Sequence, residues 1–214
     1  MRKRRSDPSA ALAVVNAALA GAAPGELVGM IAINGHRRIS DMTLYPVPYD
    51  FIVENTHLSW CEVKWGYENN FIASDVPIKM AEQIVLTGSY ADSELELSFL
   101  MPDSSNQVSL FLEELCTGFE QENDSTIRQK WLFIVLSWLW KNRDSFADPL
   151  SEVEIIYTDF DYPAEIEGFV KYMPASDGYD PSTHSQTENM NHLMENWMNY
   201  LEEKFVEYSQ GRQY

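Results

Sequence analysis

Residues 125–143 read STIRQKWLFIVLSWLWKNR. From Trp131 to Trp140 the side chains leave almost no polar stripe at helical spacing, and a helix greasy on every side is a buried one. The run falls short of the roughly 20 apolar residues that a bilayer crossing takes. It reads as the core pillar of a mainly α fold, a multi-helix bundle or layered helical array around 131–140.

Helical signals surround the pillar. In HLSWCEVKW (57–65), Leu58, Cys61 and Trp65 share one face, with Asn55 or Thr56 placed to cap it and Gly66 to end it. A helix opens at Pro77 after Ser74-Asp75 and stops at Gly88. The stretch SELELSFLM (93–101) also alternates like a strand at Leu95, Leu97 and Phe99, and its helical neighbours decide for helix. Val108, Phe111, Leu112 and Leu115 form the next apolar stripe, with Gly118 as its stop. Before all of these, Pro46 and Pro48 hold 45–50 extended.

Beyond the pillar, Asp148-Pro149 is a helix start, an acidic cap followed by proline in the first turn. Tyr162-Pro163 halts that helix, and Pro163 opens a short new one. Residues 175–186 form a polar linker containing Gly and Pro. Ser185 and Glu188 then match a capping box for a final helix. Its face of Met190, Leu193, Met194, Trp197, Leu201, Phe205 and Tyr208 either closes the domain or is offered to a partner.

Residues 1–41 differ in kind. They join a basic start, an Ala-rich helix from Ser6 or Asp7, and a small β-hairpin at Asn34-Gly35. Asp7, Pro8 and Asn16 set the Ala-rich run apart from a secretory signal. The organisation expected is an appendage over 1–41, a helical core domain over 42–174, and a linker with a C-terminal amphipathic helix on the core over 175–214.

Charge is the strongest bulk signal. The 214 residues carry 33 Asp and Glu against 15 Lys and Arg, a net charge of −18. Six of the bases precede Met42, so the remainder holds 30 acids against nine bases. Such a field repels phosphate backbones and argues against nucleic acid as a ligand. It speeds association with a basic protein, or serves solubility alone. Cys61 and Cys116 are too few for a disulfide framework or a Cys-rich zinc site, and they read as free, buried small hydrophobes in a reducing cytoplasm.

Catalytic signatures do not emerge. His36, His57, His184 and His192 form no metal-binding pair at helical spacing, and neither a Gly-rich phosphate loop nor a Gly-x-Ser-x-Gly elbow occurs. The one suggestive pair is Asp159 and Asp161 in IIYTDFDYP (155–163). On a strand, carboxylates two apart share a face and can hold one cation; on a helix the same spacing turns them about 200° apart. A helix–helix junction, where Asp161 caps or turns the chain, is the leading interpretation.

Three blocks, HLSWCEVKWGYENNF, KWLFIVLSWLW and IIYTDFDYPAEIEGFVKYMP, resemble an uncharacterised bacterial family known as a domain of unknown function. The residues that carry the resemblance are Leu58, Trp60, Trp65, Gly66, Lys130, Trp131, Tyr157, Asp159, Phe160, Tyr162, Pro163, Tyr172 and Pro174, and it covers roughly 50–174. Members of that family resemble the immunity components of polymorphic-toxin and contact-dependent inhibition systems. The resemblance implies a cytoplasmic, non-enzymatic protein without cofactors that neutralises a basic toxin, with nucleases the leading class. Asp159, Asp161, Glu165 and Glu167 are one acidic candidate for the contact, and Glu120, Glu122 and Asp124 another. The alternatives are a divalent-metal hydrolase built on Asp159 and Asp161, and a structural part of a larger assembly.

Overall fold

The computed structural model describes residues 46–117 and 123–209. Within them the chain is mainly helical and contains no strand. The expected Ala-rich helix and hairpin of 1–41, the Gly118 stop, and Glu120 and Glu122 lie outside the described residues. Two compact units result: one takes the described residues up to Trp138 with those from Val206 on, the other Leu139–Phe205. No described helix is long and apolar enough to cross a membrane.

The first unit holds α1 (Tyr49–Asn55), α2 (Trp60–Glu68), α3 (Asp75–Leu86), α4 (Asp92–Ser98), α5 (Ser105–Cys116) and most of α6 (Asp124–Asn142). The pillar is buried as its composition demands: six consecutive side chains, Trp131 to Leu136, are at most 1% exposed. Helix α3 packs on α1, α4 and α5, and α2 packs on α5. The ambiguous stretch at 93–101 is helical over α4, with Leu97 fully buried.

Two local expectations need correction. The Pro46/Pro48 stretch is extended only up to Pro48, and α1 starts directly after it, since a proline restricts the residue before it and leaves the next free to turn. Neither Asn55 nor Thr56 caps the following helix. Asn55 ends α1 and donates to the Phe51 carbonyl at 2.7 Å, while Ser59 caps α2 in a reciprocal box with Glu62.

Gly66 does not end α2 either. It lies inside the helix because a Cβ there would fall within the indole of Trp131. That close approach lets the Trp131 Nε1 donate to the Glu62 carbonyl at 2.8 Å, while Lys130 Nζ reaches both Glu62 carboxylate oxygens at 2.7 and 2.8 Å. Phe71 meets the same indole at a tilt at 5.6 Å, and Trp65 stacks on it at 6.5 Å.

The cysteines are also not the free pair expected. Helices α2 and α5 lie side by side and bring Cys61 and Cys116 to a Cα separation of 4.7 Å, where they form a disulfide. The bond closes a loop of 55 residues in sequence separation, information that spacing alone does not hold.

The second unit contains the end of α6, a 3-10 turn at Arg143–Ser145, α7 (Pro149–Asp159), 3-10 helices at Ala164–Phe169 and Pro181–Thr183, and most of α8 (Gln186–Ser209). Both starts expected here form. The Asp148 side chain accepts from the Ser151 N–H with Pro149 at N1, and Ser185 with Glu188 makes the capping box of α8. Trp197 is the unit's anchor: it meets Trp140 edge-on at 4.9 Å and stacks on Phe169 at 6.2 Å. With Trp197 and Leu201 buried, the middle of the α8 face is occupied by core packing.

Three stability measurements check this account. Lys130→Met strands the Glu62 carboxylate and lowers the unfolding free energy by about 3–5 kcal/mol in urea titrations, the cost typical of halving a buried ion pair. Gly66→Ala, which must displace the Trp131 ring, costs about 1–3 kcal/mol. A thiol assay on the unfolded, unreduced protein detects no free cysteine, and reduction lowers stability by about 2–4 kcal/mol through the long loop released.

Candidate functional site

The residues that carry the family resemblance divide into two groups once their surroundings are known. Trp60, Trp65, Gly66, Lys130 and Trp131 are consumed by packing: the Trp60 Nε1 donates to Glu94 at 2.8 Å, and the others form the α2–α6 interlock. The block from Tyr157 to Pro174 is different. Tyr157 is buried, but Tyr162 and Tyr172 are each 59% exposed, more than core packing requires of aromatic rings. Both sit edge-on to Tyr157, at 5.3 and 6.2 Å.

The backbone explains the geometry. Helix α7 ends in a Schellman motif: the Tyr162 N–H donates to the Tyr157 carbonyl at 2.8 Å and the Asp161 N–H to the Thr158 carbonyl at 3.2 Å. Asp161 occupies the left-handed position usually given to glycine, and Tyr162 is left-handed as well, both at φ 59°. Asp161 thus terminates the preceding helix through its backbone, while Pro163 stands at the N-cap of the next 3-10 turn.

Around this corner the expected acids fall as follows. Asp159 is the last residue of α7, and partial burial pushes its carboxyl above the ordinary value. Glu165 is paired with Lys204 at 3.4 Å. Glu167 accepts from the Tyr157 hydroxyl at 3.2 Å. These three, with Asp161, belong to the α7–Ala164 junction of one unit. Asp124 opens α6 in the other unit. Among the described residues, no three His, Cys, Asp or Glu side chains gather into a metal-binding group.

Next to Glu167 lies a cleft of about 210 Å³ walled by Met173, Pro174, Met190 and Leu193. Its roof belongs to the 175–186 segment, which sequence reads as a linker but which is built as a strap. Asp177 and Asp180 turn it by accepting from the Tyr179 and Ser182 N–H groups, each at 3.0 Å. The Tyr179 ring stacks on His184 at 4.5 Å and on His192 at 3.8 Å, and its hydroxyl donates to Asn189 at 2.8 Å. Asp177 lies 2.7 Å from His192 Nε2 and accepts from Asn196. Hydrogen bonds from the Tyr179 N–H, Asn196 and His192 hold its carboxyl below the usual range. Reading this segment as a linker misses both turns, for which Asp177 two before Tyr179 and Asp180 before Pro181-Ser182 are the available local signal; the partners on α8 leave no such signal.

The match of a family described as an uncharacterized protein conserved in bacteria, DUF2247, runs over residues 49–204. The chain belongs to that family. No curated protein and no solved structure matches it. The DUF2247 match passes the limit of about 174 reached by the sequence resemblance and takes in the strap and most of α8. Residues 1–41 lie outside it.

In this DUF2247 chain the start of α7 is clamped to the end of the tyrosine block. Lys171 Nζ lies 2.7 Å from Asp148 Oδ2, 2.6 Å from Ser151 Oγ and 4.0 Å from Glu154. Burial alone would raise the Asp148 carboxyl, but hydrogen bonds from Lys171 and Ser151 outweigh it and hold it low. A depressed folded-state value stabilises above the unfolded carboxylate pKa and loses that stabilisation as pH falls through the folded value. Lys171→Met is therefore destabilising at pH 7, and the gap from the parent protein narrows as thermal unfolding is followed down to pH 2.

Proposed function

We propose that the protein is an acidic binding module of the immunity type, which neutralises a cognate basic toxin by covering its active site. The single observation that carries this reading is the charge along α7 and the turn that follows it: seven carboxylates lie from Asp148 to Glu167 with no Lys or Arg among them, more than the facing Lys171 and Lys204 match, and the exposed Tyr162 and Tyr172 stand at the far end of the stretch. Aromatic rings are enriched at the energetic centres of interfaces, and surplus charge around them sets the encounter rate. The net charge of −18 extends the same attraction beyond the corner.

A nuclease, whose cleft must be basic to hold its own substrate, is the toxin class that matches best. The reading assigns the protein no catalytic step, no cofactor, no nucleic acid and no membrane. It sets the protein in the cytoplasm, where an incoming toxin would be met. Since oxidising compartments favour disulfides, the thiol state of Cys61 and Cys116 in cells is a direct check on that placement.

The test is calorimetry and stopped-flow binding against the product of an adjacent secreted-effector gene. Asp159→Asn with Asp161→Asn slows association at least tenfold at low salt, and the deficit shrinks at high salt as screening takes over. Tyr172→Ala leaves the on-rate nearly unchanged and speeds dissociation. No binding, or binding with the same rate at both salt concentrations, overturns the reading.

A further inference from the structure

We infer that the cleft beside Glu167 receives an arginine side chain of the basic partner. The inference rests on the binding-module reading and assigns one contact within it. The volume, about 210 Å³, is below the roughly 300–1,000 Å³ of pockets for drug-sized ligands and suits a single long side chain. The walls suit an aliphatic stem: Met173, Met190 and Leu193 are half-buried apolar groups, and the two thioethers adapt their shape to what enters.

The charge of the guest follows from which lining charges are already matched. Lys171 is turned to Asp148, Ser151 and Glu154. His192 is turned to Asp177. Glu167 faces no cation within ion-pair reach among the described residues; its one partner is the neutral Tyr157 hydroxyl, which occupies Oε1. The lining therefore presents one uncompensated carboxylate at the edge of an apolar slot, which favours a cation carried on an apolar stem. Guanidinium is the better fit than ammonium, because it is less strongly hydrated and its planar fork matches a carboxylate. Glu167 is also the one acid of the 159–167 group that lines the cleft, so corner and slot form a continuous surface.

The experiment uses the full chain labelled with ¹³C at the methionine ε-methyls, with Met173 and Met190 assigned by Met→Leu variants. The probe is acetyl-Gly-Arg-Gly-amide. Both methyl signals shift saturably with the probe. The isosteric peptide with citrulline in place of arginine, neutral at the same length, binds at least tenfold more weakly. Glu167→Gln, which keeps the hydrogen bond from Tyr157, weakens the arginine peptide by the same factor. Agmatine, a free amine with the same head group, binds no more tightly than the peptide.

Absence of saturable shifts at the two methyls overturns the inference, as does equal binding of the citrulline peptide or indifference to Glu167→Gln. Agmatine binding tenfold more tightly than the peptide overturns it in favour of a free small cation. If the methyls stay silent while binding of the effector product remains salt-dependent and sensitive to the Asp159/Asp161 double variant, the cleft assignment fails and the binding-module reading stands.

Discussion

The Glu62 side chain is the constraint on which the first unit depends. Its Oε2 closes the capping box of α2 by accepting from the Ser59 N–H at 2.7 Å, and both carboxylate oxygens receive Lys130 from α6. It is only 7% exposed, so neither use can be replaced by water. A buried carboxylate is tolerated when several donors share its charge, and here a backbone N–H and an ammonium do so together. The Glu62 carbonyl then receives the Trp131 indole, and Gly66 supplies the space for the ring one turn further on. Start of helix, ion pair and aromatic contact are thus three consequences of one placement. Register between α2 and α6 is set by polar groups, while the surrounding apolar mass supplies cohesion without direction.

How far sequence reasoning reached depends on the range of the interaction concerned. Asp148-Pro149 and the Ser185–Glu188 box act over three residues, and both form as written. Ser59 and Glu62 carry the same three-residue signal, but Asn55 and Thr56 mask it, because Asn is as good a cap as Ser and only the end of α1 shows which is used. Gly66 misleads for a different reason. A glycine at the end of an apolar stretch normally marks a C-terminus, and the steric demand that retains it mid-helix comes from Trp131, far away in the chain. The Cys61–Cys116 bond and the docking of the strap on α8 are likewise long-range facts. Composition alone gives the buried pillar; topology decides which acids of the candidate site become neighbours.

The distribution of charge has its own physical logic. Where acids are needed for folding, they have partners: Glu62 with Lys130, Asp148 with Lys171, Glu165 with Lys204. Lys130, Lys171 and Lys204 each stand beside a carboxylate partly withdrawn from solvent. Solvation of the surplus is what makes the remainder affordable for stability, since exposed acids in water at physiological salt repel one another only over about 8 Å. Of the seven acids from Asp148 to Glu167, Asp148, Glu154 and Glu165 lie within ion-pair reach of Lys171 or Lys204, and gathering the other four into the same stretch leaves more negative charge there than those two lysines match.

Tyr162 sharpens the point. An aspartate at the left-handed position of a Schellman motif is a mild substitution for glycine, but a bulky ring at φ 59° is a true outlier that costs on the order of 1–3 kcal/mol. What offsets it is local: the hydrogen bond to the Tyr157 carbonyl and the edge-on contact with the Tyr157 ring. Those contacts fix the orientation of a side chain that is nevertheless 59% exposed, so the strain secures a position and leaves most of the ring in water. A tyrosine already held in place loses little conformational entropy when a second surface closes on it, and that advantage exists only in a complex. Strain retained at an exposed aromatic is consistent with the docking role proposed above, and solubility, the simpler explanation for acidic charge, gives no reason for it: solubility needs the acids, but it has no use for the ring.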